Sequence, residues 1–276
     1  MVINCKDISN EIKFGLKSTI SNIQKRYKKT APVLYVIQVG DNQASNSYIK
    51  GKKKDCEEVG IICKHIKLPE NISEAELVSY IENLNTDNYD GLIVQLPLPK
   101  HIDKNIIINA IPKEKDVDGF RKDSKFVPCT PLGIMKVLER FSVAGKDCLI
   151  INRSDIVGKP LVNLLLDRDA TVTIAHSKTK NLRNKIHDAD IIITAVGIPN
   201  FITKDMISSD KIFIDVSINR DESGKLCGDI SKDVERYKWK NTFITPVPNG
   251  IGLLTRAELL MNVTKSWINN FSKENK

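Results

Sequence analysis

Tyr48 and Lys52 are the first residues whose types and spacing suggest chemistry. They lie in ASNSYIKGKKKDCEEVGI, residues 44–61, which reads as a helix capped by Ser45 or Asn46 and closed by Gly60. Four residues apart, they share one helix face and adjoin each other. A lysine in a substrate cleft can lose solvation and become a usable proton carrier, and a neighbouring tyrosine hydroxyl can orient or relay the proton. Spacing alone favours a plainer reading, in which Lys52 is one more exposed lysine beside Lys50, Lys53 and Lys54. Gln95 sits in Gly91–Leu96, a strand stopped by Pro97-Leu98-Pro99, at the carboxyl end where open α/β sheets hold their ligands. The acidic turn KDVDGF, residues 115–120, is either ordinary turn chemistry or places Asp118 to hydrogen-bond a polar heterocycle.

A second set of candidates lies between Cys148 and His176. Cys148–Ile151 is a short apolar strand, Asn152-Arg153-Ser154-Asp155 a polar turn, and Leu161–Leu166 a helix started near Pro160. Ala170–Ala175 is a second strand, so the stretch is a βαβ unit whose helix N-terminus offers N–H groups to an anion. The dinucleotide pattern G-x-G-x-x-G fails at Asn152 and Ser154 and survives at Gly158, and the Walker A pattern fails as well. Asn tolerates a left-handed turn and Ser can donate to phosphate. The turn alone leaves a nucleotide site and a plain βα turn equally open.

The surrounding elements must position these groups. A helix over Ser9–Tyr27 with Ser9 as cap, a strand over Val33–Val39, a strand at Ile66–Leu68 and a helix over Ser73–Leu84 with a Ser73/Glu76 capping box complete the first α/β unit. A helix over Pro131–Phe141 follows. Strands at Ala189–Val196, Ile212–Val216 and Thr242–Thr245, then a helix over Thr255–Phe271, extend the second unit. The fold class is α/β with two domains. The first is an α/β catalytic domain over residues 1–140, and the second a Rossmann-type nucleotide-binding domain over residues 141–254. The terminal helix, residues 255–276, returns to the first.

Composition excludes several classes. The 276 residues are 41% hydrophobic and 28% charged, ordinary for a globular protein. No apolar run is long enough to span a bilayer and residues 1–30 lack a signal-peptide core, so a cytoplasmic location is expected. The six cysteines form no C-x-x-C pair and the four histidines have no ligand spacing, so buried reduced thiols and no metal site are expected. The net charge of +8 is spread along the chain with no stacking-aromatic motif, which argues against nucleic acid and fits attraction of a phosphate-bearing cofactor or polycarboxylate substrate.

YIKGKKKDCEEVGI, GLIVQLPLP, KDVDGF, PCTP, RSDIVGKP, ATVTIAHSKT, DVSINR, GDI and TPVPNGIG follow one another along nearly the whole chain. In this order and spacing, the sequence resembles the bifunctional methylenetetrahydrofolate dehydrogenase/methenyltetrahydrofolate cyclohydrolase (FolD-type) family of one-carbon metabolism and purine biosynthesis. The resemblance implies that Lys52 is the catalytic lysine, Tyr48 its partner, Gln95 the glutamine that tunes it and Asp118 the acid that binds the pterin ring. It implies a tetrahydrofolate site that also includes Leu96, Pro97, Pro248 and Gly250. It implies NADP held by Asn152, Arg153, Ser154, Gly158, His176, Ser177, Ile218 and Thr255, with Arg153 and Ser177 on the 2′-phosphate. A homodimer joined through the cofactor domain and an active site in the cleft between domains are implied too. Hydride would leave the one-carbon bridge for the nicotinamide, and water would then open the methenyl ring to 10-formyltetrahydrofolate.

Four positions depart from the family's common residues: Asn152, Ser217 and Asn249 stand where Gly is usual, and Leu253 where Pro is usual. All four fall on the cofactor side, while Tyr48, Lys52, Gln95 and Asp118 are intact. A side chain in place of glycine can block close backbone approach. A cyclohydrolase with weakened dehydrogenase is therefore one alternative, and a non-catalytic nucleotide-binding regulatory protein another.

Overall fold

The computed structural model describes residues 1–84, 88–207, 210–236 and 241–274, with backbone alone at 235–236 and 271–274. The chain divides into two compact units, residues 11–128 with 256–276 and residues 1–10 with 129–255.

In the first of these, β1 (Val33–Val39) lies between β2 (Ile62–Leu68) and β3 (Gly91–Val94) in a parallel three-stranded sheet. β1 is buried almost end to end because its β-branched run is central, whereas β2 at the edge is partly exposed along its length. The helices are α1 (Cys5–Tyr27, from residue 11 onward), α2 (Gln43–Val59), α3 (Glu74–Leu84) and α4 (Lys104–Ala110). Tyr35, Ile37, Leu77, Ile81, Tyr89, Leu92 and Ile107 form a core between the sheet and helices α3 and α4. The expected capping box holds: Glu76 accepts from Ser73 N–H at 2.8 Å and donates its own N–H to Ser73 Oγ at 3.2 Å. Gly60 ends α2 in the left-handed region at φ 87°, its N–H reaching Cys56 and Glu57 carbonyls.

Two caps differ from expectation. Asn42 caps α2 by accepting from Ser45 N–H at 3.0 Å, one turn before Ser45 and Asn46. Asn4 Oδ1 accepts from Asp7 N–H at 3.3 Å, so α1 begins at Cys5 and Ser9 is a buried helical residue.

The other unit carries five parallel strands in the order β10-β7-β6-β4-β5: β4 (Asp147–Ile151), β5 (Thr171–Ala175), β6 (Ile191–Thr194), β7 (Ile212–Asp215) and β10 (Phe243–Ile244). The chain first builds outward from β4 to β5, then returns to β4's other side with β6. The gap between β4 and β6 is thus the topological switch point of a doubly wound sheet. α5 (Cys129–Leu138), α6 (Gly158–Leu166), α7 (Leu182–Asp188) and α8 (Lys232–Arg236) accompany it, with an antiparallel hairpin of β8 (Asn219–Arg220) and β9 (Leu226–Cys227). Leu149, Ile151, Ile192, Phe213 and Ile244 centre its core.

The division departs from the expected boundary at residue 140 for two reasons. Residues 1–3 extend the sheet edge, with Ile3 N–H on Ile244 O at 2.8 Å. α5 packs through Gly133, where a Cβ would sit 3.0 Å from Leu254 and the Thr255 nitrogen. The last helix, α9, runs Ile251–Glu274 rather than from Thr255, and residues 275 and 276 lie outside the described residues. From residue 256 onward α9 belongs with the first unit, where Asn262 Nδ2 donates to Val117 O at 2.9 Å and Ser266 Oγ to Glu114 O at 3.3 Å. The short α4, α7, α8 and the hairpin were not legible as periodic segments.

Candidate active site

Lys52 is 5% exposed, against the plain reading of it as a surface lysine, whereas its neighbours Lys50, Lys53 and Lys54 are exposed. Its Nζ donates to Gln95 Oε1 at 3.2 Å and lies 5.1 Å from the centre of the Tyr48 ring. Gln95 is held for this contact. Its N–H continues the β1 pairing on Ile37 O at 2.8 Å, and its Nε2 donates to Leu96 O at 2.8 Å, turning Oε1 to the lysine. The expected i,i+4 pair and the strand-end glutamine are thus one cluster at the carboxyl edge of β3.

The acidic turn joins them. Leu92 N–H donates to Lys115 O at 2.8 Å, laying residues 115–117 along the free edge of β3. Gly91 permits this, because a Cβ there would come within 2.8 Å of both Val117 methyls. Gly119 turns the chain at φ 71°, and a Cβ there would strike the Phe126 carbonyl at 2.7 Å. The two acids then divide their roles. Asp116 is buried and accepts from Arg121 N–H at 2.9 Å, which braces the turn. Asp118 is half-buried, and its carboxyl is pushed above the usual carboxylate range by burial, against the attraction of Lys52 and with the repulsion of Asp116. A cation, a tyrosine ring, an amide and an acid therefore meet at one strand end. Such a set can carry protons and hydrogen-bond a polar heterocycle.

Sequence reasoning missed a buried ion-pair cluster one turn along α2 from Lys52. Asp55, one turn further on α2 and 6% exposed, accepts from Arg256 Nε at 2.6 Å and from Lys13 Nζ at 3.3 Å. The Arg256 guanidinium also lies 5.9 Å from the Tyr48 ring centre. No local pattern signalled this cluster, because Lys13 and Arg256 are distant from Asp55 in sequence. Beside this cluster, Pro97 lines a hollow of ≈ 290 Å³ together with Gly40, Asn42 and Glu70.

In the doubly wound unit Asn152 and Arg153 follow the carboxyl end of β4, His176 and Ser177 that of β5, and Ile218 that of β7. Ile151 of β4 pairs with Ala175 of β5, so Arg153 and Ser177 each stand two residues past a paired position, and both are exposed. His176 is fixed by donating its N–H to Thr179 Oγ1 at 2.8 Å and by accepting the Lys178 N–H on Nδ1 at 3.2 Å. Asn152 does not project a free side chain. Its Oδ1 accepts from Ser154 N–H (2.8 Å), Ser154 Oγ (2.7 Å) and Gly158 N–H (3.1 Å), while Nδ2 donates to Ala195 O at 2.6 Å across the switch point. Gly158 is required because a Cβ would fall 2.3 Å from Asn152 O. Ser217 is likewise tied inward, accepting from Gly197 N–H at 3.1 Å. Asn249 takes φ 71°, a conformation Asn tolerates. Ile218 is 55% exposed, Thr255 Oγ1 lies 3.3 Å from Thr130 Oγ1, and Pro248 is exposed beside buried Gly250.

Two family models between them cover nearly the whole chain. Residues 3–118 match the catalytic domain, and residues 128–271 the NAD(P)-binding domain, of tetrahydrofolate dehydrogenase/cyclohydrolase. The chain belongs to this family. The bifunctional protein FolD of Campylobacter hominis is 45% identical over 284 residues, covering 99% of each chain. Among solved structures of the family, the bifunctional enzyme FolD from Campylobacter jejuni superposes with a TM-score of 0.91 at 42% identity, covering 98% of this chain and 99% of that one. The Trypanosoma brucei enzyme, complexed with NADP cofactor and an inhibitor, superposes with a TM-score of 0.91 at 31% identity, covering 98% of each chain. Among the described residues no helix is long and apolar enough to cross a membrane, and all six cysteines are free.

Proposed function

We propose that this chain is a bifunctional methylenetetrahydrofolate dehydrogenase (NADP+)/methenyltetrahydrofolate cyclohydrolase. One observation carries the reading. A buried lysine is held at a strand end by a clamped glutamine and a tyrosine ring, with a half-buried acid in its field.

The residues of the doubly wound unit fit NADP. Arg153 and Ser177, exposed side by side past β4 and β5, offer a guanidinium and a hydroxyl to a 2′-phosphate, which favours NADP over NAD. The turn from Asn152 to Gly158, Ile218 and Thr255 would hold the rest. When bound, the cofactor accepts the hydride that leaves the one-carbon bridge of 5,10-methylenetetrahydrofolate. Asp118 accepts hydrogen bonds from the pterin ring and fixes the folate's orientation, with Leu96, Pro97, Pro248 and Gly250 completing its surroundings.

In the hydrolytic step Lys52 takes a proton from water as the water oxygen bonds the bridge carbon of the methenyl cation. The carbon–N5 bond then breaks, N5 gains a proton, the hydroxyl loses its own, and 10-formyltetrahydrofolate and one net proton are formed. Gln95 Oε1 holds the ammonium form in place, and Tyr48 screens one side of it from water. Asn152 and Ser217 are engaged internally, which argues against a dehydrogenase weakened by those replacements. We further read the chain as a cytoplasmic homodimer joined through the cofactor unit, where Leu166 and Leu226 supply exposed apolar surface. Ion pairs such as Lys67–Asp41, Lys136–Glu139 and Lys159–Asp155 break up the basic surface and speak against nucleic acid.

The test is Lys52→Met. Methenyl decay falls to the buffer rate while NADP affinity stays within twofold of the parent. Retained cyclohydrolase activity sinks the assignment of the lysine.

A further inference from the structure

Behind the loops at the carboxyl edge of β6 and β7 lies a fully buried carboxylate, the acid of the GDI segment, to which the sequence alone assigned no role. Asp229 is 0% exposed, and six donors converge on it. Oδ2 accepts from Thr194 Oγ1 at 2.9 Å, Val196 N–H at 2.8 Å and Ser217 Oγ at 2.8 Å. Oδ1 accepts from the Gly197 and Ile198 N–H groups and Asn219 Nδ2, each at 3.0 Å. Three consecutive backbone N–H groups around one carboxylate make an anion nest that the chain fills itself.

Asp229 is in turn aimed by a second acid. Asp215, at the end of β7, accepts the N–H groups of Asp229 at 3.1 Å and Ile230 at 2.9 Å. Gly228 gives it room, since a Cβ there would sit 2.0 Å from Asp215 Oδ2. The two loops so tied, residues 195–198 and 217–219, carry Ile198 and Ile218, which are 50% and 55% exposed. Ala195 is also the residue whose carbonyl receives Asn152 Nδ2 from the β4–α6 turn. One buried anion therefore sets the backbone of two loops that present apolar side chains, and the first loop is bonded directly to the turn at the switch point.

We propose that Asp229 is a positioning residue for the cofactor, holding the 195–198 and 217–219 loops in the arrangement that binds NADP. The role rests on reading this unit as the NADP-binding one. Asp229 touches neither substrate nor cofactor; it acts through loops that otherwise have little core to hold them. A carboxylate suits the task because both oxygens only accept, whereas an amide would turn an N–H toward donors already facing it.

The experiment measures NADP dissociation by titration, the dehydrogenase KM for NADP and kcat, the cyclohydrolase rate and the melting temperature for four proteins. These are the parent, Asp229→Asn, Asn219→Ala and the core substitution Ile192→Ala on β6. Asp229→Asn is expected to raise Kd and KM for NADP at least tenfold and to leave cyclohydrolase within twofold. Asn219→Ala, which keeps the carboxylate and removes one donor, is expected to raise Kd three- to tenfold. Ile192→Ala is expected to lower the melting temperature with Kd unchanged, which separates positioning from stability. Affinities within twofold of the parent in Asp229→Asn overturn the proposal, as they do in Asn219→Ala should Asp229→Asn not fold. A parent that binds no NADP overturns the reading of the unit itself.

Discussion

Replacing Gln95 by Glu tests the account of Lys52 most sharply, because it changes charge and little else. The new carboxylate would stand where Oε1 now accepts from Lys52 Nζ at 3.2 Å. Two unit charges at that separation attract by about 5 kcal/mol at an effective dielectric of about 20. Gln95 is half-buried, and solvent screening reduces the gain to roughly 2.5 kcal/mol. That energy favours the ammonium over the neutral amine and makes the neutral form about 70-fold rarer at a given pH. If Lys52 takes the proton from water, cyclohydrolase at neutral pH falls by one to two orders of magnitude and recovers as pH is raised. The assay is decay of the methenyl chromophore across a pH series, with NADP titration as a control for folding. A rate within threefold of the parent and an unmoved pH profile would refute proton transfer by Lys52.

Three further outcomes follow from the fold. Asn152→Gly removes the four hydrogen bonds that brace the β4–α6 turn, and urea unfolding should show a loss of about 2–3 kcal/mol; unchanged stability contradicts the bracing role. Gly91→Ala puts a methyl within 2.8 Å of Val117 and displaces the turn bearing Asp118, so cyclohydrolase should fall at least tenfold with NADP affinity retained. Burial pushes the Asp215 carboxyl up to about 7, against the backbone N–H groups of Ile230, Asp229 and Ser217 and with the Asp229 charge adding to it. The folded state therefore keeps a proton that the unfolded chain loses, and stability falls as pH rises from about 4 to about 7, by on the order of 4 kcal/mol. Asp215→Asn should flatten that slope in denaturant titrations, and an identical slope refutes the buried acid as its source.

The long periodic and β-branched segments were legible in the sequence because burial dictates them. Val33–Val39 and Ile212–Asp215 fall where their β-branched runs place them, and the Ser73/Glu76 box and Gly60 cap are local chemistry. Helix starts were less legible. Asn42 and Asn4 outcompeted Ser45 and Ser9 because a cap is decided by which residue leaves the helical conformation first. The candidate cluster of Tyr48, Lys52, Gln95 and Asp118 was legible residue by residue, but the contacts around it were not. Asp55 gains its role from Arg256, distant in sequence, and Asp229 gains its own from two separate segments, 194–198 and 217–219. The glycine replacements read as obstacles in sequence, and the fold turns Asn152 and Ser217 inward to serve as braces.

The most direct test of the central claim offers purified protein 5,10-methylenetetrahydrofolate with NADP or NAD, following reduced nicotinamide, and in parallel compares methenyl decay with the buffer rate. Both activities, with NADP strongly preferred, are the expected result. Methenyl decay at the buffer rate and no nicotinamide reduction would contradict it.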